Sequence, residues 1–337
     1  MSSDLTIRTY RPGDERGILA TFNRVFREVC GPGYVDRTLA QWTWQYIDNP
    51  AGFRIWLAVA SDGTIASQYA GVPMFVDSPW GELRFIHCVD SMTHPDWRQG
   101  LKRPGVFVVT GKPYTAYLRK VGDAVAYGFP VDVAYRIGTR YLEYHFLRTI
   151  DFWLRAGTAG VLPAPARVQL ERVHAIPADV DGLYAKVRAD KQLLLRRNRG
   201  YLDWRYVQNP ARADYELWTA RRGDELCGFL VLKPTQALIP DAATIADWLC
   251  AERDDEAAAA LLHVATRRAH EAGGRSLLAV FPDWSAEAAL LRRHAFVATP
   301  SANWLERRLV YLVMNSPLTG DFLAERWWYT LGDSDLA

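Results

Sequence analysis

The chain contains nearly the same seven-residue phrase twice, WQYIDNP at 44–50 and WRYVQNP at 204–210. Two aromatics followed by Asn-Pro do not recur by chance in 337 residues, so the phrase marks an internal duplication. A repeat this long exceeds any solenoid unit and fits two sequential domains of one fold. Each copy ends a helical stretch at Asn-Pro, because proline cannot extend a helix and restricts the residue before it. Each is then followed by two apolar runs around a polar turn, Asp62-Gly63 in the first and Gly223-Asp224 in the second, the pattern of a β-hairpin. The aromatics of both phrases are expected to pack locally at these helix-to-strand corners and to carry no chemistry.

The echo continues. Residues 125–144, VAYGFPVDVAYRIGTRYLEY, and 277–296, LLAVFPDWSAEAALLRRHAF, both read as a strand, a Phe-Pro break, a helix and an aromatic stop. Asn49 to Asn209 is 160 positions and Phe129 to Phe281 is 152, so the second copy is eight residues shorter between these landmarks. The first copy carries the Gly-rich basic turn HPDWRQGLKRPG there, where the second has only AERDDE. The expected organisation is a first domain over 1–155, a linker over 156–167 rich in Gly, Pro and Ala, a second domain over 168–315, and an appendage over 316–337. That appendage holds adjacent Trp residues, which are costly when exposed and should pack on a domain.

Composition narrows the function. A formal net charge of +2 supplies no broad attraction to nucleic acid or to an anionic membrane, so any polyanion site must be local. No apolar run is long enough to span a bilayer, and the first residues lack a signal-peptide layout, so a cytoplasmic location is expected. The four cysteines, Cys30, Cys88, Cys227 and Cys250, have neither CxxC spacing nor histidines at metal-site intervals, so neither a disulfide framework nor a metal site is expected.

Chemistry concentrates in HPDWRQGLKRPGVF, between a strand and a helix-like segment. Glycines let successive backbone N–H groups point one way, and a following helix start adds partial positive charge, which together make a cradle for a phosphate. Arg98, Lys102 and Arg103 would add charge-assisted contacts.

A strand, then Pro, two residues and Arg, a glycine-rich turn, a helix, a strand and a helix with a late aromatic, all preceded by a hairpin, resembles the GNAT superfamily of acyl-coenzyme A dependent N-acyltransferases. The likeness is to its tandem two-domain members and covers about residues 5–150, more faintly 168–310. Thr93, Pro95, Arg98 and Gly100 match the family pattern. Leu101, Lys102, Arg103 and Pro104 then intervene before Gly105 and Val106, a departure from the usual loop. The resemblance implies an α/β (α+β) architecture of two domains, each a mixed, mainly antiparallel twisted sheet flanked by helices. It implies acetyl-CoA as cosubstrate, held by Met92, Thr93, Arg98, Gln99, Gly100, Leu101, Lys102, Arg103, Gly105 and Val106. It also implies a splayed strand at Asp90–Thr93, along which a pantetheine arm would pair with backbone groups near Met92 and Thr93.

Acyl transfer to an amine needs proton carriers. Asp90 and His94 flank the expected site, although an Asp in a turn and a His in a His-Pro-Asp entry also have ordinary structural uses. The family's tyrosine, five residues before the closing aromatic Tyr144, falls on Thr139 here, leaving Tyr135 and Tyr141 as nearby candidates. The second domain has acid where phosphate needs cation and is expected not to bind the coenzyme. The expected activity is thus transfer of an acyl group to an amine acceptor, without metal. A non-catalytic acyl-coenzyme A binding protein is the alternative, favoured by the missing tyrosine and the altered loop. An aminoacyl-tRNA dependent transferase is disfavoured by the charge.

Overall fold

The computed structural model describes residues 5–98, 104–235 and 238–336. In chain order the elements are β1 (Thr6–Thr9), α1 (Glu15–Cys30), α2 (Leu39–Tyr46), β2 (Arg54–Val59), β3 (Ile65–Ser78), β4 (Gly81–Cys88), β5 (Met92–Thr93), α3 (Val106–Lys120), β6 (Val125–Gly128), α4 (Asp132–Tyr141) and β7 (His145–Thr149). They continue with β8 (Asp151–Arg155), β9 (Gln169–Val173), α5 (Val180–Asp190), β10 (Leu193–Leu195), α6 (Arg199–Leu202), β11 (Glu216–Arg222), β12 (Glu225–Lys233), β13 (Ala242–Cys250), α7 (Asp255–Glu271), β14 (Ser276–Ala279), α8 (Ala286–Arg293), β15 (Val297–Pro300), β16 (Arg308–Val313), α9 (Gly320–Arg326) and β17 (Trp327–Trp328). Among the described residues no helix is long and apolar enough to cross a membrane.

The chain forms two compact units, and they are interleaved along it. One contains Met1–Phe75, Leu83–Leu147 and Arg308–Thr319; the other contains Val76–Glu82, Arg148–Arg307 and Gly320–Ala337. This differs from consecutive domains over 1–155 and 168–315. β8, at the end of the first repeat, pairs antiparallel with β14 and β15 in the second unit. β16, at the end of the second repeat, pairs antiparallel with β6 in the first. Each repeat thus surrenders its last strand, and hydrogen bonding along the strand edges decides membership where chain order does not.

The first unit is a mixed sheet in the order β1-β2-β3-β4-β6-β16-β7, with β5 on β3. The β2–β3 hairpin is antiparallel and β4 runs parallel to β6. α3 packs its Val106, Thr110, Tyr114 and Leu118 side, a strict four-residue spacing, into the sheet. Tyr69, Ile86, Tyr114, Leu118 and Leu142 form the core beneath it. The second unit repeats the plan in the order β15-β8-β14-β13-β12-β11-β9, with α7 carrying an Ala-rich buried side.

Duplication also survives in how the late helices stop. α4 closes with Glu143 at φ 59° and then Tyr144; α8 closes with Ala295 at φ 62° and then Phe296. Both aromatic amides reach back to helix carbonyls, Tyr144 to Gly138 at 3.2 Å and Phe296 to Leu291 at 3.0 Å. A left-handed residue is required at this stop, and glycine occupies it without steric cost. Ala295 is exposed, so Ala295→Gly removes strain and sacrifices no packing. The expected gain is about 0.5–1 kcal/mol, a Tm rise of roughly 1–3 °C in calorimetry. An unchanged or lowered Tm would refute this account of the helix stop.

Candidate functional site

β4 and β6 pair in parallel through Phe85–Val125, Ile86–Ala126 and His87–Tyr127. There the pairing stops. At Gly128 the strands are still close, because a Cβ would lie 2.8 Å from the Cys88 carbonyl oxygen. Beyond it Phe129-Pro130 leads away into α4, while the other strand breaks at Asp90 and resumes as β5. Among the described residues β5 pairs only with β3, Ser67 opposite Thr93 and Gln68 opposite Met92. Its other edge is therefore open. The His94 amide donates to the Ala66 carbonyl at 2.9 Å, so by the alternation of an antiparallel ladder the Met92 amide also faces β3 and the Thr93 amide faces the open edge. Of the two amides expected to serve an acyl oxygen, the geometry leaves Thr93.

α3 packs on β5 and begins nearby. Gly105 is its N-terminal cap with no side chain to satisfy the first amides, and a Cβ there would meet nothing within 4 Å. Val106 is buried against Ala58 and Ala66. Among the described residues no side chain caps the start of this 15-residue helix, and amides at a helix start attract anions. Arg98 turns its Nε to the Thr93 carbonyl at 3.1 Å and its Nη1 to Glu28 at 2.9 Å, half-exposed. An incoming phosphate would compete with Glu28 for it. Gln99, Gly100, Leu101, Lys102 and Arg103 lie outside the described residues.

Asp90 is not a free base. It is buried, at φ 58°, with its Oδ2 accepting from Arg37, from Gln45 Nε2 at 2.9 Å and from the Tyr46 hydroxyl at 2.8 Å. Its own carbonyl accepts from Gln68 Nε2 at 2.9 Å. Burial works against the Arg37 charge, but Asp90 outweighs it and keeps the guanidinium protonated. Burial and then the Asp90 charge push the Tyr46 hydroxyl well above its ordinary value, so it stays a donor. The carboxylate thus locks the bulge between β4 and β5.

The other candidates are equally engaged. His94 is buried and caps the following turn, its Nδ1 accepting from the Asp96 amide at 3.3 Å, while its Nε2 faces Arg24 at 3.0 Å. Burial, reinforced by Arg24, lowers its pKa and keeps it neutral. Tyr135 lies under the Arg308 guanidinium, 4.5 Å from its ring centroid. Tyr141 is half-buried against the core cluster of Tyr69 and Tyr114. Neither is hydrogen-bonded to Asp90 or His94.

The repeated phrase turns out to hold this site. Tyr46, in WQYIDNP, donates to Asp90; Tyr206, in WRYVQNP, donates to Asp247 Oδ2 at 2.9 Å. Arg37 pairs with Asp90, and Arg197 donates to Asp247 from Nε at 2.8 Å. The two aspartates are structural equivalents. Trp56 and Trp218 face Tyr69 and Leu230 in their hairpins, one residue back Gln68 and Phe229 face Met92 and Leu249, and two residues before those stand Asp90 and Asp247. The signal was present in the spacing: Arg37 precedes Tyr46 by nine positions, as Arg197 precedes Tyr206. Each arginine is followed by a helix cap, Thr38 accepting from the Gln41 amide and Asn198 from the Tyr201 amide.

The copies differ in what covers them. Arg197 is fully buried and saturated: besides Asp247, Nη1 reaches the Leu195 carbonyl at 2.9 Å, and Nη2 reaches Thr330 at 3.0 Å and both oxygens of Asp333 at 2.8 Å. Gly332 lies so close that a Cβ would sit 2.7 Å from the Tyr206 hydroxyl and 2.9 Å from Asp247. Arg205, at the position of Gln45, donates to the Ser334 carbonyl at 2.9 Å. The second triad is plugged by the chain's own last residues, anchored by β17 pairing with β10. Arg37 has no such cover among the described residues: Asp90 is the one hydrogen-bond partner of its guanidinium, and its side chain is 22% exposed.

A scan against protein-family models finds no match. A search of curated proteins finds none either. Solved structures do match. A probable N-acyltransferase of unknown function from Enterococcus faecalis superposes with a TM-score of 0.66 at 12% identity over 93% of this chain and 73% of that one. A GCN5-related N-acetyltransferase from Anabaena variabilis gives 0.66 at 11% identity over 92% and 73%. A tandem GNAT protein from the clavulanic acid biosynthesis pathway gives 0.58 at 14% identity over 94% of this chain and all of that one. At such identities the likeness is one of fold: the chain has the tandem GCN5-related N-acetyltransferase fold.

Proposed function

We propose that the first unit binds an acyl-coenzyme A along the open edge of β5 and that the protein transfers the acyl group to an amine. The single observation that carries this is β5 itself, paired with a strand on one side only among the described residues, with a 15-residue helix that has no side-chain cap starting beside it. An extended arm pairs with such an edge as an added strand, and the amides after Gly105, with Arg98, suit a diphosphate. The bound thioester supplies an activated acyl carbon. In the transfer an N–C bond forms and a C–S bond breaks, one proton leaving the nitrogen and one ending on the sulfur. In this reading the Thr93 amide, on the open edge, holds the acyl oxygen. His94, kept neutral at pH 7, is the imidazole at the end of that strand, and Asp90 acts by fixing the strand's bulge. The second unit is read as non-binding because its equivalent triad is filled from within.

One observation favours a second reading, a binding protein without turnover: Asp90, His94, Tyr135 and Tyr141 all have structural partners or packing. Calorimetry with acetyl-CoA, followed by thiol release with a panel of amines, separates the two. Acetyl-CoA is expected to bind, and Arg98→Ala to weaken it about tenfold, a charge-assisted contact less an exposed ion pair. No binding at millimolar acetyl-CoA would overturn both readings.

A further inference from the structure

We infer that the amine acceptor carries a carboxylate and that Arg37 receives it. This rests on the acyl-transfer reading above and deepens it. The second unit shows what an Arg–Tyr–Asp triad of this build accepts. There Asp333 grips Arg197 Nη2 with both oxygens at 2.8 Å and takes the Thr330 amide at 2.8 Å, while Arg205 holds the next carbonyl. The chain has placed a carboxylate, at the end of a short 3-10 turn capped by Thr330, against one copy of the triad.

The other copy keeps the guanidinium, the tyrosine and the aspartate, and among the described residues no second carboxylate pairs with that guanidinium. Arg37 spends Nη1 on Asp90 and stacks 4.1 Å over the Phe22 ring, itself stacked on Phe26. Its remaining donors have no partner among the described residues, and the side chain keeps 22% of its surface. A planar, permanently charged fork with spare donors over an aromatic floor recognises a planar anion. Arg37 also lies one residue from the bulge through Asp90, and β5 follows that bulge directly. A carboxylate docked on Arg37 would therefore set its own amine near the open edge where the acyl group is read to lie. Amino acids and peptides with a free C-terminus fit this description; simple alkylamines and amino sugars do not.

The test pairs each acceptor with its uncharged twin. Amino acids and dipeptides are compared with their C-terminal amides in an acetyl-CoA thiol-release assay on the full chain. The expected result is at least a tenfold advantage in kcat/KM for the acids, carried mainly by KM. Arg37→Lys, which keeps a charge for Asp90 but loses the fork, should shrink that advantage below threefold while acetyl-CoA affinity stays within twofold. Equal turnover of acids and amides in the native protein, or a preference that survives Arg37→Lys, overturns the inference and leaves acyl transfer standing. If acetyl-CoA binds but no amine is turned over, calorimetry with N-acetylglycine and N-acetylglycinamide decides: selective binding of the acid supports the role of Arg37, and equal or absent binding overturns it.

Discussion

Arg197→Ala should destabilise the protein by about 3–5 kcal/mol, read as a large fall in the urea midpoint followed by tryptophan fluorescence. The reason is what the substitution leaves behind. Arg197 is wholly buried and neutralises two buried carboxylates, Asp247 and Asp333. Burial pushes Asp333 up to about 6 even with Arg197 holding it down, and truncation would abandon both acids in a medium of low polarity. The Thr330 hydroxyl and Tyr206 still donate to Asp247, so hydrogen bonding is only partly lost and charge dominates the cost. Adding Asp247→Asn and Asp333→Asn to the alanine variant should therefore recover a substantial part of the loss. A loss under about 1 kcal/mol would mean that the tail is held by packing of Trp327 and Trp328 alone.

The matching residue of the first repeat provides the contrast. Arg37 neutralises one carboxylate, keeps some solvent, and should cost less when truncated, about 1–2 kcal/mol. One triad has thus become a structural clasp while its twin remains accessible. Duplication followed by self-occupation explains why a chain would retain Arg, Tyr and Asp in the half whose sequence has AERDDE in place of the Gly-rich basic turn.

Local grammar was legible in the chain; long-range partnership was not. The Asp62-Gly63 and Gly223-Asp224 turns do join the antiparallel pairs β2–β3 and β11–β12, and the Asn-Pro stops do end helices, with Asn49 and Asn209 each accepting from the amide two residues on. These features depend on neighbours in sequence. Asp90 and Arg37 are 53 positions apart, and nothing local announces that a carboxylate at a strand break will be claimed by a guanidinium and a phenol. The phrases were read as local packing corners, yet their tyrosines reach across to strand bulges. The exchange of β8 and β16 was hidden for a related reason: a short apolar strand specifies a buried place in a sheet without saying whose. The terminal tryptophans were expected to be buried, and they are, at 2% and 0% exposure, but burial did not reveal that Asp333 would follow them onto Arg197.

Asp123→Ala is expected to cost the first unit about 3–5 kcal/mol. Asp123 is fully buried where the turn after α3 enters β6; it accepts from Arg54 Nε at 2.8 Å and Nη2 at 3.0 Å and forms an ion pair with Arg84, whose Nε is 2.9 Å away. One carboxylate thereby ties β2, β4 and the start of β6, and β6 is the strand from which β5 is parted. Its loss would strand Arg54, which is 8% exposed, beside a void. The effect should be one of stability rather than of the open edge, because β4 and β6 still pair through His87 and Tyr127 beyond the lesion. Saturating acetyl-CoA should then raise the Tm of the variant by the same increment as that of the native protein, as mass action requires when affinity is unchanged. A lowered Tm together with a vanished increment would instead make Asp123 part of what holds the seam open.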